Sequence, residues 1–166
     1  METTIMDLTF RDHDKVVTDL AAMGPNVVGI YVMLTMIEGA LVLARRIRER
    51  IPGVLLVCGG PMPTLRPEQF ARHFDIVFRG EAASSFPLFC MDYLKSHALM
   101  DILAHPQRYP GLYARNSQDG TLIQTPPQHM GEEDLDRLPI PDRRDFEHAL
   151  YQQFWQERTG HCPAGI

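Results

Sequence analysis

Cysteine is scarce in this chain of 166 residues: there are three, Cys58, Cys90 and Cys162, and no two form a Cys-x-x-Cys pair. That usage argues against structural disulfides and suits a reducing compartment. Positive charge is also short. Sixteen Lys and Arg face 21 Asp and Glu, a formal charge of −5, which argues against a general nucleic-acid binder. The one basic run, ARRIRER (Ala44–Arg50), is broken at helical spacing by Ile47 and reads as the solvated face of a helix. No apolar run is long enough to span a bilayer and no signal-peptide pattern opens the chain, so a cytoplasmic location is expected.

Catalytic signatures are missing too. No Gly-x-Gly-x-x-Gly follows a strand, and there is no phosphate-cradling Gly-x-x-x-x-Gly-Lys-Ser/Thr, no Gly-x-Ser-x-Gly and no His-Glu-x-x-His. A phospho-acceptor receiver domain needs an acidic pocket at its strand ends; here one strand ends on Tyr31, Met33 and Thr35. His13, between Asp12 and Asp14, reads as part of a solvated helix start away from any binding edge. His161 and Cys162 are adjacent, and neighbours in sequence rarely reach one ion. No catalytic residue and no metal ligand is expected in this chain.

What is present is alternation. A short strand is expected over Thr3–Leu8 and a helix over Asp12–Met23, stopped by Gly24-Pro25. NVVGIYVM (Asn26–Met33) is a continuous β-branched run, the pattern of a strand covered on both faces. A helix with a stripe of Ile37, Ala40, Leu41, Ala44 and Ile47 follows from about Met36 to Arg50, ended by Pro52-Gly53. VLLVC (Val54–Cys58) is the next buried strand, with Cys58 in the core. A short helix near Pro67–His73, a strand over Asp75–Gly80 and a helix over Ser84–Ser96 complete the pattern, with Ser84 or Ser85 as N-cap. Beyond His97, Gly111–Thr125 reads as a β-hairpin around Asn-Ser-Gln-Asp-Gly. The proline-rich, acidic stretch after it reads as an extended linker, and the tail has room for a short amphipathic helix.

This order predicts an α/β fold: a doubly wound, flavodoxin- or Rossmann-like parallel sheet over residues 1–97, a hairpin extension over 98–130 and a linker over 131–166. Ligands on such sheets sit at the carboxyl ends of the strands. The loops YVMLTM, CGGPMPT and RGEAAS all follow strand ends and so share one rim. Gly59-Gly60 there makes either a tight turn or bare backbone for a ligand to approach. Glu81 either accepts amides of a neighbouring loop or meets a ligand, and both readings stand. A rim of glycines and apolar side chains with almost no acids, bases or nucleophiles suits a large, partly apolar cofactor.

The run NVVGIYVMLTMIEGALVLARRIRERIPGVLLVCGGPMPTLRPEQF, followed by DIVFRGE, resembles the cobalamin-binding domain of cobalamin-dependent radical S-adenosylmethionine proteins. That family runs as a VVGIS strand, a helix, a GGPHPT loop and a D-x-V-x-x-GE strand. EEDLDRLPIPDRRDF resembles its connector to the radical barrel, and the likeness covers roughly Thr3 to Phe146. The resemblance implies a corrinoid over the rim, its nucleotide tail against the Gly-Gly loop. The implied cofactor-binding residues are Tyr31, Val32, Met33, Thr35, Gly59, Gly60, Pro61, Met62, Gly80 and Glu81.

The resemblance also implies a radical S-adenosylmethionine barrel in cis as partner, in a methyltransferase- or cyclase-type protein. The four-iron–four-sulfur cluster and S-adenosylmethionine would belong to that barrel, since the cluster motif Cys-x-x-x-Cys-x-x-Cys does not occur here. Relative to the family, Tyr31 stands in place of serine, Met62 in place of histidine and Ala82-Ala83 in place of a second Gly-Glu. The usual first strand is expected to be missing, leaving a gap in the sheet, as in a fragment or isolated accessory domain. Tyr31 and that gap support a rival reading, a structural or substrate-specificity module without cofactor. A flavodoxin-like flavin or nucleotide binder ranks last, because no polar phosphate loop is present.

Overall fold

The computed structural model describes residues 2–116, 119–143 and 146–161. The first helix, α1 (His13–Met23), starts where the sequence supplies a cap: Asp12 accepts the amides of Asp14 and Lys15 at 2.9 and 3.0 Å. Strand β1 (Val27–Tyr31) leads through a short 3-10 turn into α2 (Ile37–Arg50). Strand β2 (Leu55–Gly59) leads into two brief helices, α3 (Pro61–Leu65) and α4 (Pro67–Phe70), each opened by a proline whose missing N–H costs nothing there. After β3 (Ile76–Phe78) come α5 (Ser85–Ser96) and α6 (Leu99–Leu103). The hairpin is β4 (Leu112–Arg115) and β5 (Leu122–Gln124), followed by α7 (Glu132–Asp136) and α8 (His148–Thr159).

The five strands form one sheet in the order β1-β2-β3-β4-β5. The first three are parallel, with Val27 opposite Leu55 and Tyr31 opposite Gly59. The hairpin joins antiparallel through β4, with Phe78 opposite Leu112. Period-2 alternation splits the core between the two faces. Leu56, Cys58, Val77 and Tyr113 pack with Val16, Leu43 and Ile47 of α1 and α2. Leu55, Val57, Ile76, Phe78 and Leu112 pack with Phe89, Ile102 and Tyr109 on the opposite side. Helices on both faces give the expected α/β architecture. At the amino ends of the strands Asp75 accepts both the Leu56 amide at 2.8 Å and Arg48 at 2.9 Å, pinning β2 to the start of β3.

Four local expectations change. Thr3–Leu8 is not a strand. Asp7 accepts the Thr9 amide and hydroxyl at 3.0 and 2.8 Å, Met6 and Leu8 pack on the α1–α2 core, and the following Phe10 meets Tyr151 and Phe154 of α8. β1 is covered unevenly. Val28 is in the core, while on the opposite face Val27 packs against the second cluster and Phe86 of α5 lies over Gly29, leaving Gly29 and Tyr31 exposed. The gap expected in the sheet does not occur: the five strands pair without a break, and β1 lies at one edge. The stretch after the hairpin is not uniformly extended, since it holds α7 and α8. Cys162, two residues of the hairpin turn (Ser117, Gln118) and two of the connector (Arg144, Asp145) lie outside the described residues.

Candidate functional site

Three loops leave the carboxyl ends of β1, β2 and β3, as the parallel order requires. The first, Val32–Met36, opens by burying Val32, whose amide donates to the Gly59 carbonyl at 2.9 Å. The Val32 carbonyl accepts the Met62 amide at 3.3 Å. Both polar groups of Val32 are therefore used to tie the first loop to the second, and its side chain faces the core. Thr64 ties the second loop to the third. Its hydroxyl donates to the Gly60 carbonyl at 2.9 Å and accepts the Gly80 amide at 2.9 Å. Sequence reasoning placed Thr64 in the loop motif without giving it a role; the signal available was a small hydroxyl four residues after Gly60, in reach of that carbonyl.

On this scaffold the side chains facing out are apolar. Tyr31 is 61% exposed, Leu34 71% and Leu65 74%, with Met33 and Met36 also exposed. Single exposed apolar residues are ordinary, but five converging on one edge form a surface suited to a large apolar partner. Thr35 and Pro61 are exposed beside them, and Met62 is half-buried.

Gly60 adopts φ +108°, a conformation that side chains rarely take. A Cβ there would lie 2.9 and 3.0 Å from Cε2 and Cδ2 of Tyr31 and 3.0 Å from the Val32 carbonyl oxygen. That conformation makes the turn from β2 into α3, and the ring of Tyr31 lies over the Gly60 backbone. Gly59 is roomier, its nearest neighbour being the Phe78 carbonyl at 3.6 Å.

Gly80 and Glu81 serve a different purpose. A Cβ on Gly80 would fall 2.5 Å from the Gln128 carbonyl, so this glycine lets the chain after the hairpin pass. Gly80 bridges Gln128, and the Glu81 amide donates to the Gln128 carbonyl at 3.1 Å. The Glu81 carboxylate accepts the Met130 amide, the first of the two roles left open for it. Ser84, at the cap position of α5, bonds the Gln128 side chain at 3.0 Å rather than the helix amides. The His13 ring packs on Gly39 in the first turn of α2, which begins where the first loop ends.

The reactive inventory is small. Burial pushes the Cys58 thiol up, and the Cys90 thiol up to about 11, so neither is a ready nucleophile. Among the described residues no group of three His, Cys, Asp or Glu could hold a metal. No helix of the described residues is long and apolar enough to cross a membrane. A groove of about 740 Å³ opens at the opposite end of the sheet around Arg45, Arg72 and the Arg48–Asp75 pair. It is shallow and that pair already clamps two strands, so the rim remains the better candidate. The rim fits an apolar plate laid over its loops, with the glycine backbone reachable only past Tyr31.

Comparison with known proteins places the chain in a family and a fold. The B12 binding domain family matches residues 1–89. An uncharacterized methyltransferase of Pyrococcus horikoshii is 26% identical over 138 residues, covering 81% of this chain and 27% of its own length. The cobalamin-dependent S-adenosylmethionine radical enzyme OxsB shares the fold. Its structure with aqua-cobalamin and S-adenosylmethionine bound aligns with a TM-score of 0.58 at 15% identity, over 72% of this chain and 16% of that one. Its apo structure aligns at 0.56, also at 15% identity over 72% and 16% of the two chains. The chain thus spans well under a third of the length of either relative.

Proposed function

The chain belongs to the B12-binding domain family, and on that footing we propose that it holds a corrinoid against the carboxyl ends of β1, β2 and β3. In this reading it presents the corrinoid to a radical S-adenosylmethionine domain of the same polypeptide, in a methyltransferase- or cyclase-type protein. The observation that carries the proposal is the apolar rim itself: Tyr31, Met33, Leu34, Met36 and Leu65 stand exposed on loops locked together by Val32 and Thr64. Locked loops lower the cost of binding, because little is left to order. The apolar side chains exclude water from the covered face, and the scarcity of acids and bases leaves the chemistry to the cofactor.

A bound corrinoid supplies a cobalt that can carry a methyl group. The residues proposed to touch it are Tyr31, Met33, Thr35, Gly59, Gly60, Pro61 and Met62, while Val32, Gly80 and Glu81 hold the loops in place. Residues 1–97 would form the corrinoid-binding unit, 98–130 the hairpin extension and 131–166 the connector. The iron–sulfur cluster and S-adenosylmethionine would belong to the catalytic domain.

One observation favours a second reading, a cofactor-free packing or specificity module: the Tyr31 ring already lies on Gly60. Titration with hydroxocobalamin separates the two. Protein and the red chromophore should co-elute on gel filtration at about one per chain, and flavin mononucleotide should not bind. Elution of colourless protein from excess hydroxocobalamin would refute the corrinoid reading.

A further inference from the structure

We propose that Tyr31 determines which part of a corrinoid the rim accepts: its ring covers the Gly60 backbone and bars the nucleotide tail, while the apolar loops stay open to the macrocycle. This rests on the corrinoid reading above and names what is specific to this chain. With ring atoms 2.9 and 3.0 Å from where a Gly60 Cβ would stand, no sugar or phosphate can lie against that backbone while the ring is in place. Register explains the contact. Tyr31 pairs with Gly59 across the parallel ladder, so no side chain opposite pushes the ring away.

The ring is a cover and not a wall. It is 61% exposed, and its hydroxyl has no hydrogen-bond partner among the described residues. It rests against the glycine backbone. A cover closed about nine-tenths of the time lowers the apparent affinity for whatever needs the cradle about tenfold. A ligand that uses only the apolar loops is unaffected.

The test compares two ligands on the intact chain. Hydroxocobalamin carries the nucleotide tail; cobinamide is the same macrocycle without it. Wild type should bind the two with similar affinity, Tyr31→Ser should gain roughly tenfold for hydroxocobalamin alone, and Tyr31→Phe should match wild type because the hydroxyl has no partner. A wild-type preference for hydroxocobalamin that Tyr31→Ser leaves unchanged would overturn the proposal, as would a loss of both ligands in Tyr31→Ser. The cover also has a ligand-free readout: ring-current shielding should move the Gly60 Hα protons upfield by NMR, and Tyr31→Leu should abolish that shift. An unshielded Gly60 in wild type overturns the cover whatever binds. A shielded Gly60 in a protein that binds neither ligand in any variant sinks the corrinoid reading, and the tail barrier with it.

Discussion

At the scale of single residues, two adjacent glycines that look equivalent in the sequence have different reasons to be glycine. Gly60 is held at φ +108° with the Val32 carbonyl 3.0 Å from a prospective Cβ, so even alanine is strained there. Gly59 has only ordinary contacts. Gly60→Ala should therefore cost about 1–3 kcal/mol, seen as a lower Tm, while Gly59→Ala should stay within about 0.5 kcal/mol. Equal effects of the two changes would show that the backbone conformation is not what selects Gly60. Trimming Tyr31 relieves one of the two clashes at Gly60 but leaves the carbonyl and the positive φ. Tyr31→Ser should thus not rescue Gly60→Ala.

At the scale of elements, the rim depends on hydroxyl and carboxyl groups that join segments distant in sequence. Thr64→Val keeps the shape but removes the group shared by Gly60 and Gly80. It should cost about 1 kcal/mol, and the Gly80 amide should exchange faster with solvent. Unchanged exchange would mean that the second and third loops are held by other contacts. The α8 helix is tied to the amino-terminal segment through Asp7, which accepts the Tyr151 hydroxyl, and through an Arg11–Glu147 pair at 3.1 Å. Partial burial pushes the Asp7 carboxyl up, but the hydrogen bonds from Tyr151 and Thr9, helped by Arg11, outweigh it and leave it below its ordinary value. A carboxyl depressed in the folded state stabilises above its ordinary pKa, and that contribution fades as pH falls through the lowered value. Docking of α8 should hold at neutral pH and loosen below about pH 4. The sole tryptophan, Trp155 on α8, reports this by fluorescence, and Asp7→Asn should flatten the acid response.

At the scale of the whole molecule, the sheet runs without a break from β1 to β5, so the hairpin has no separate core of its own. Urea unfolding followed by circular dichroism and by alkylation of Cys58 and Cys90, both buried, should give coincident transitions. A hairpin that melts first would separate the Cys90 curve from the other. The sequence alone determined the features whose causes are local. The apolar period of 3.6 placed α2, the buried run Val54–Cys58 placed β2, Asp12 and Gly24 bounded α1, and the loop residues clustered on one rim once the parallel order was inferred. Tertiary structure decided what depends on partners far along the chain. How far the outer face of β1 is covered depends on Phe86, 57 positions on from Gly29, and Thr3–Leu8 packs Met6 and Leu8 on the α1–α2 core instead of pairing as a strand. Gly80 is glycine because of Gln128, 48 positions on, and Gly60 lies under Tyr31, 29 positions back. Periodicity reports how a segment meets its own neighbours. Packing brings distant segments within van der Waals reach, and at this rim that distance decides whether a bare backbone is open or covered.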